Sequence, residues 1–112
     1  MDEKFLESLT NEQLMTIGNF LVWDLKSNPE QNEERKQILT QILLELEKRQ
    51  VLDRLDAAAA HKSLQNDDFA GLSVFYPDTR SVADERVNNF LKQNMQNFGI
   101  VIHWTKKRFN RN

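Results

Sequence analysis

Apolar residues recur at helical spacing over three stretches of this chain and at strand-like spacing over two short ones. Leu14, Ile17, Gly18, Leu21 and Leu25 fall three and four apart, with Phe20 and Trp23 on the flanks. That pattern predicts a helix with one apolar face, running to Ser27-Asn28. Thr10-Asn11-Glu12-Gln13 marks its start as a capping box: the Thr10 hydroxyl serves early backbone N–H groups, Gln13 reaches back, and Leu9 and Leu14 form the hydrophobic staple. Gly18 on the apolar face permits a close crossing. Pro29 suits the first position of a second helix, capped by Asn28 or Ser27, with Glu30, Glu33 and Glu34 near the positive end of its dipole. The short connection predicts an antiparallel helical hairpin.

The second helix is expected to be long, from Pro29 to about Lys62. Along it, Ile38, Leu39, Ile42, Leu43 and Leu46 make one stripe, while Leu44, Val51, Leu55 and Ala58 make another, rotated about the axis. Stripes out of phase do not sustain a coiled-coil seam, so a bend or break is expected near Arg49-Gln50. Ala57 to Ala60 have high helix propensity and small side chains, which suits a packing surface.

After the polar punctuation Gln65-Asn66-Asp67-Asp68, the pattern changes. Gly71-Leu72-Ser73-Val74-Phe75-Tyr76 reads as a short strand stopped by Pro77. Ser81, Asp84 and Glu85 read as the start of a third helix that carries Ala83, Val87, Phe90, Leu91, Met95 or Asn94, and Phe98 inward and stops at Gly99. Ile100 to Trp104 reads as a second strand, parallel to the first. The expected fold class is therefore α+β and mostly helical. One domain over residues 1–112 would comprise a helical part (1–66), a strand-helix-strand part (67–104) and a basic tail (105–112). Its size suits one core.

Composition narrows the picture. Of the 112 residues, 39% are hydrophobic and 29% charged, with only three Gly and two Pro, which suits a helix-rich globular chain rather than a disordered one. The absence of cysteine excludes disulfides, thiolate metal sites and cysteine nucleophiles, and accords with a reducing cytosol. No stretch approaches the ~20 apolar residues of a membrane span, and the N-terminus lacks the basic start and apolar core of a leader. A cytoplasmic protein without membrane contact is the expectation.

Charge changes the picture most. Residues 1–85 hold all 17 acidic side chains against nine basic ones, whereas residues 86–112 hold six basic side chains and no acid. The near-neutral total of −2 therefore conceals segments of −8 and +6. Such asymmetry points to a polyanionic partner, or to an acidic body that works against basic surfaces. Lys106, Lys107, Arg108 and Arg111, interleaved with Trp104 and Phe109, offer phosphate contacts beside stacking surfaces, and Arg86 and Lys92 on the preceding helix would widen the patch. A solvated basic terminus has the same composition without a role in binding.

Other chemistry finds little footing. His61 and His103 have no metal-ligand spacing; Asp67 and Asp68 beside His61 are explained as turn formers. Gly18, Gly71 and Gly99 are isolated and make no phosphate loop. No catalytic residue, metal site or cofactor is expected. The leading reading is a small non-enzymatic accessory or regulatory protein that contacts nucleic acid through its basic, aromatic C-terminal segment. The alternative is a protein–protein interaction module, of adaptor, inhibitor or immunity type, that acts through the acidic helical face. A homodimer joined at the Gly99–Trp104 edge or through the Ile38–Leu46 stripe is a further expectation, since an apolar strand edge must be covered.

Overall fold

Reciprocal hydrogen bonds build the capping box: Thr10 N–H donates to Gln13 Oε1 at 2.8 Å, and Gln13 N–H donates to Thr10 Oγ1 at 3.1 Å. They start one of six helices among the described residues of the computed structural model, which are 3–27, 33–69, 72–75, 79–82, 84–96 and 98–99. The helices are α1 (Glu3–Glu7), α2 (Asn11–Ser27), α3 (Glu33–Lys48), α4 (Arg54–Gln65), α5 (Thr79–Val82) and α6 (Glu85–Asn94). No helix is long and apolar enough to cross a membrane among the described residues.

The long helix expected from Pro29 to Lys62 is two helices. Gln50 takes a left-handed φ of 62°, Gln50 N–H donates to the Glu47 carbonyl and Val51 N–H to the Leu46 carbonyl, which closes the end of α3. Asp53 then caps α4 by accepting from Asp56 N–H at 2.8 Å. The same stop recurs after α4, where Asp67 has φ 56° and Asp68 N–H donates to the Ser63 carbonyl. Both left-handed positions are held by residues other than glycine, so the stops carry no glycine signal.

The α+β expectation is overturned: there is no strand among the described residues. Buried positions in and just before the first expected strand explain why. Phe69, Leu72 and Phe75 are buried, Ser73 is exposed and Val74 lies between. This spacing of three differs from the alternation of a pleated strand. Leu72 N–H donates back to the Phe69 carbonyl, so the chain turns and drops one apolar side chain per turn into the core. Phe75 lands on Gly18 of α2, where an added Cβ would overlap its ring. The second expected strand, Ile100–Trp104, lies outside the described residues, as does the homodimer edge built on it. The third helix also differs: Asp84 caps α6, which ends with Met95 as C-cap rather than at Gly99.

The buried stripe of α2 meets that of α3, and α3 in turn packs on α4. Leu14, Ile17, Leu21 and Leu25 are fully buried, as are Leu39, Ile42, Leu43 and Leu46. The Ile38–Leu46 stripe is therefore covered within the chain, which removes it as a homodimer surface. Leu44, Val51 and Leu55 of the second stripe face outward, Leu55 being 83% exposed. Of the four alanines, Ala57 and Ala60 pack inward.

Polar contacts set the register. Asp24, 0% exposed near the end of α2, lies 2.5 Å from Arg35 Nε near the start of α3. Gln96 N–H, just past α6, also reaches Asp24, at 3.5 Å. At the opposite end of the same pair, Arg49 reaches the segment leading into α2, so α2 and α3 run antiparallel. Lys36 Nζ and Asp67 Oδ1, 2.8 Å apart, tie the start of α3 to the end of α4. Gln13 donates through Nε2 to Asp84 Oδ2 at 3.0 Å, joining the N-termini of α2 and α6.

Two outcomes follow for stability. Arg35→Met leaves a buried carboxylate without its cation and should lower unfolding stability by about 3–5 kcal/mol, whereas Asp24→Leu combined with Arg35→Met should recover most of that loss. Urea titration of the singles and the double distinguishes these outcomes. Gln50→Gly removes the left-handed Cβ penalty and should raise stability by about 0.5–1 kcal/mol despite glycine's entropy cost, read in the same titration.

Candidate protein-binding cleft

Arg86 and Lys92 are the sequence-predicted nucleic-acid contacts that fall among the described residues; Trp104, Lys106, Lys107, Arg108, Phe109 and Arg111 lie outside them. Both sit exposed on α6, but Arg86 is engaged with the protein's own N-terminus. Its guanidinium donates to Ser8 Oγ and lies 5.4 Å from the centre of the Phe5 ring. Phe5 in turn stacks on Phe90 at 5.6 Å between ring centres. The first cation of the basic end thus holds α1 against α6.

Helix α1 was not expected from the sequence, although Phe5, Leu6 and Leu9 carry the signal at helical spacing. Five residues are too few for a helix that stands alone, so its position depends on tertiary contacts. Leu6 and Leu9 are buried in the core. Arg49, at the end of α3, supplies the rest. Its Nη1 donates to the Leu9 carbonyl at 2.8 Å and to Asn11 Oδ1 at 3.0 Å. Its Nη2 donates to the carbonyls of Leu6 at 3.2 Å and Glu7 at 3.1 Å. Nε donates to Glu45 Oε2 at 3.3 Å, which fixes the guanidinium plane from the α3 side. Glu7 is the last residue of α1, the Leu6 carbonyl also accepts Leu9 N–H, and Leu9 lies just beyond the helix, so Arg49 caps the end of α1 and fastens it to α3 in one arrangement.

Fastened in this way, α1 and α3 enclose a cleft of about 180 Å³. Glu3, Leu6 and Glu7 line it from α1; Gln41, Leu44, Glu45 and Lys48 line it from α3, at the three- and four-residue spacing of one helix face. Leu6 forms a buried apolar wall, and Leu44 is 52% exposed. Lys48 Nζ stands 3.9 Å from Glu7 Oε1 with both side chains largely in solvent, a weak pair that salt screens. Gln41 also borders a smaller cavity of about 80 Å³ between α3 and α6, with Glu34, Gln37, Ile38 and Asn94. Its Oε1 is buried without a donor among the described residues.

His61, Asp67 and Asp68 are not brought together as ligands: Asp67 pairs with Lys36, and no three His, Asp or Glu side chains gather as a metal site among the described residues. Comparison of the chain with protein-family models, curated proteins and solved structures finds no match in any of the three.

The Arg49 arrangement is testable. A lysine keeps the charge but cannot span the two sides of the fork, so Arg49→Lys should cost about 1–3 kcal/mol. Backbone amides of residues 8–14 should show faster hydrogen exchange than in the unsubstituted chain, while those in the middle of α2 and α3 keep their order of protection.

Proposed function

We propose that the chain is a small non-enzymatic protein–protein interaction module whose acidic helical face, formed by α1 and α3, engages a basic partner. The observation that supports this reading is how three of the four cations of α3 and its C-terminal turn are used, the fourth, Lys48, standing exposed near Glu7. Arg35 is drawn to buried Asp24, Lys36 to Asp67, and Arg49 to the carbonyls around the end of α1. Glu3, Glu7, Glu33 and Glu34 meanwhile stand exposed. Internal contacts absorb part of the positive charge, so exposed carboxylates outnumber the exposed Lys4 and Lys48 on these two helices, a balance that raises the encounter rate with a basic partner and repels an acidic one.

A second reading keeps the nucleic-acid contact. It rests on the sequence of residues 86–112, whose six basic side chains lie among no acids. The two readings separate in one fluorescence-anisotropy series on the full chain, with a labelled Lys-rich peptide, single-stranded DNA and RNA as probes at low and moderate salt. The first expects the peptide to bind, to weaken with salt, and to weaken further when Glu3 and Glu7 become Gln. The second expects the nucleic acids to bind, with affinity lost when Lys106, Lys107, Arg108 and Arg111 become Ala. A chain that binds none of the probes at low salt refutes both.

A further inference from the structure

Resting on the acidic-face reading, we propose that the α1–α3 cleft is its anchor site, taking one large apolar side chain from an otherwise basic segment of a partner protein. Three features of the cleft support this. Its volume of about 180 Å³ is comparable to the ~150 Å³ cavity that admits benzene, so a Phe or Leu side chain fits by size. Its apolar lining is asymmetric: Leu6 is buried beneath α1, while Leu44 is half in water and gains most from being covered. Its rim carries two exposed carboxylates, Glu3 and Glu7: Glu45 is already paired with Arg49, whereas Glu7 is only loosely approached by Lys48, so an incoming Lys or Arg can replace Lys48 beside Glu7 and meet Glu3.

Gln41 adds a polar requirement. Its Oε1 is a buried acceptor without a donor among the described residues, a state that carries a desolvation cost. The terminal amide torsion of glutamine is broad, so the group can turn toward the cleft and accept an N–H from a segment lying across it. Apolar anchor, flanking cations and one N–H donor together describe a Lys/Arg-rich peptide segment with a single large apolar residue. An anionic lipid surface or a nucleic-acid backbone would meet the carboxylates of Glu3 and Glu7 with like charge.

The test uses the full chain and two labelled peptides, a Lys/Arg-rich sequence with one central Phe and the same sequence with Ala in its place. The Phe peptide should bind about tenfold more tightly, the ratio expected for burying one such side chain. Leu44→Ala should abolish that difference while leaving the thermal melt in place, because Leu44 is exposed. Gln41→Leu should weaken the Phe peptide without altering the salt slope. Equal binding of the two peptides, or a tenfold gap that survives Leu44→Ala, overturns the anchor site while the acidic-face reading stands. Failure of both peptides to bind at low salt removes both. Dimerisation in sedimentation that is lost in Leu44→Ala assigns the cleft to a second copy instead. Binding that appears only after Lys106, Lys107, Arg108 and Arg111 are replaced by Ala assigns it to the chain's own basic end, and either result overturns the proposal.

Discussion

A carboxylate with no solvent exposure must have its charge met inside the protein, and Asp24 imposes that condition on the α2–α3 pair. Arg35 meets it from the neighbouring helix at 2.5 Å. Ion pairs of this kind contribute little net stability beside an apolar alternative, but breaking one is costly, so the pair favours one arrangement over its neighbours. A shift of α3 by one turn would leave Asp24 facing hydrocarbon. The apolar stripes Leu14–Leu25 and Ile38–Leu46 can be buried in more than one register, since branched aliphatic side chains interdigitate tolerantly. Asp24 and Arg35 select among those registers, and the backbone N–H of Gln96 reaches the same carboxylate from beyond α6.

Arg49 acts at the other end of the pair, about four helical turns along α3 from Arg35. With the register set at Asp24, Arg49 is carried to the carbonyls of Leu6, Glu7 and Leu9, at and just beyond the end of a short helix. The cleft is a consequence of both arginines. Arg35 fixes where α3 lies along α2, and Arg49 fixes where α1 lies along α3. The lining residues Gln41, Leu44, Glu45 and Lys48 then face α1 because they share a helix face, with no contribution from loop geometry.

Local signals in the sequence were legible where chemistry acts within a few residues. The Thr10–Gln13 capping box, the inward stripe of α2 and the change of phase near Arg49 all follow from spacing alone. What was not legible depends on tertiary placement. Phe69, Leu72 and Phe75 share the hydrophobic density of a strand, and their spacing of three becomes decisive only once Gly18 provides a place for the Phe75 ring. The places of the stops near Gln50 and Asp67 were legible from the change of phase and the polar run, but their left-handed form was not, since the sequence marks neither with Gly. Helix α1 is too short to be predicted by propensity and exists by virtue of arginines 40 or more residues away in sequence. The candidate cleft was illegible for the same reason, since its two walls come from elements whose adjacency is a long-range fact.

Charge segregation along the chain takes on a different meaning once the fold is known. In sequence, Arg86 opens the basic end and reads as part of a surface for phosphate. In the structure its guanidinium is occupied with Ser8 and Phe5, so the boundary between acidic and basic segments is also a junction at which the basic end grips the acidic body. The same pattern runs through Arg35, Lys36 and Arg49, each of which spends its charge on a contact between elements. These four cations act as fasteners, while Lys26, Lys48, Arg54, Lys62 and Lys92 stand exposed beside the surface carboxylates. A helical body assembled in this way spends part of its positive charge on its own cohesion, and α1, held by Arg49 and Arg86 together, carries Glu3 and Glu7 to the edge of the cleft.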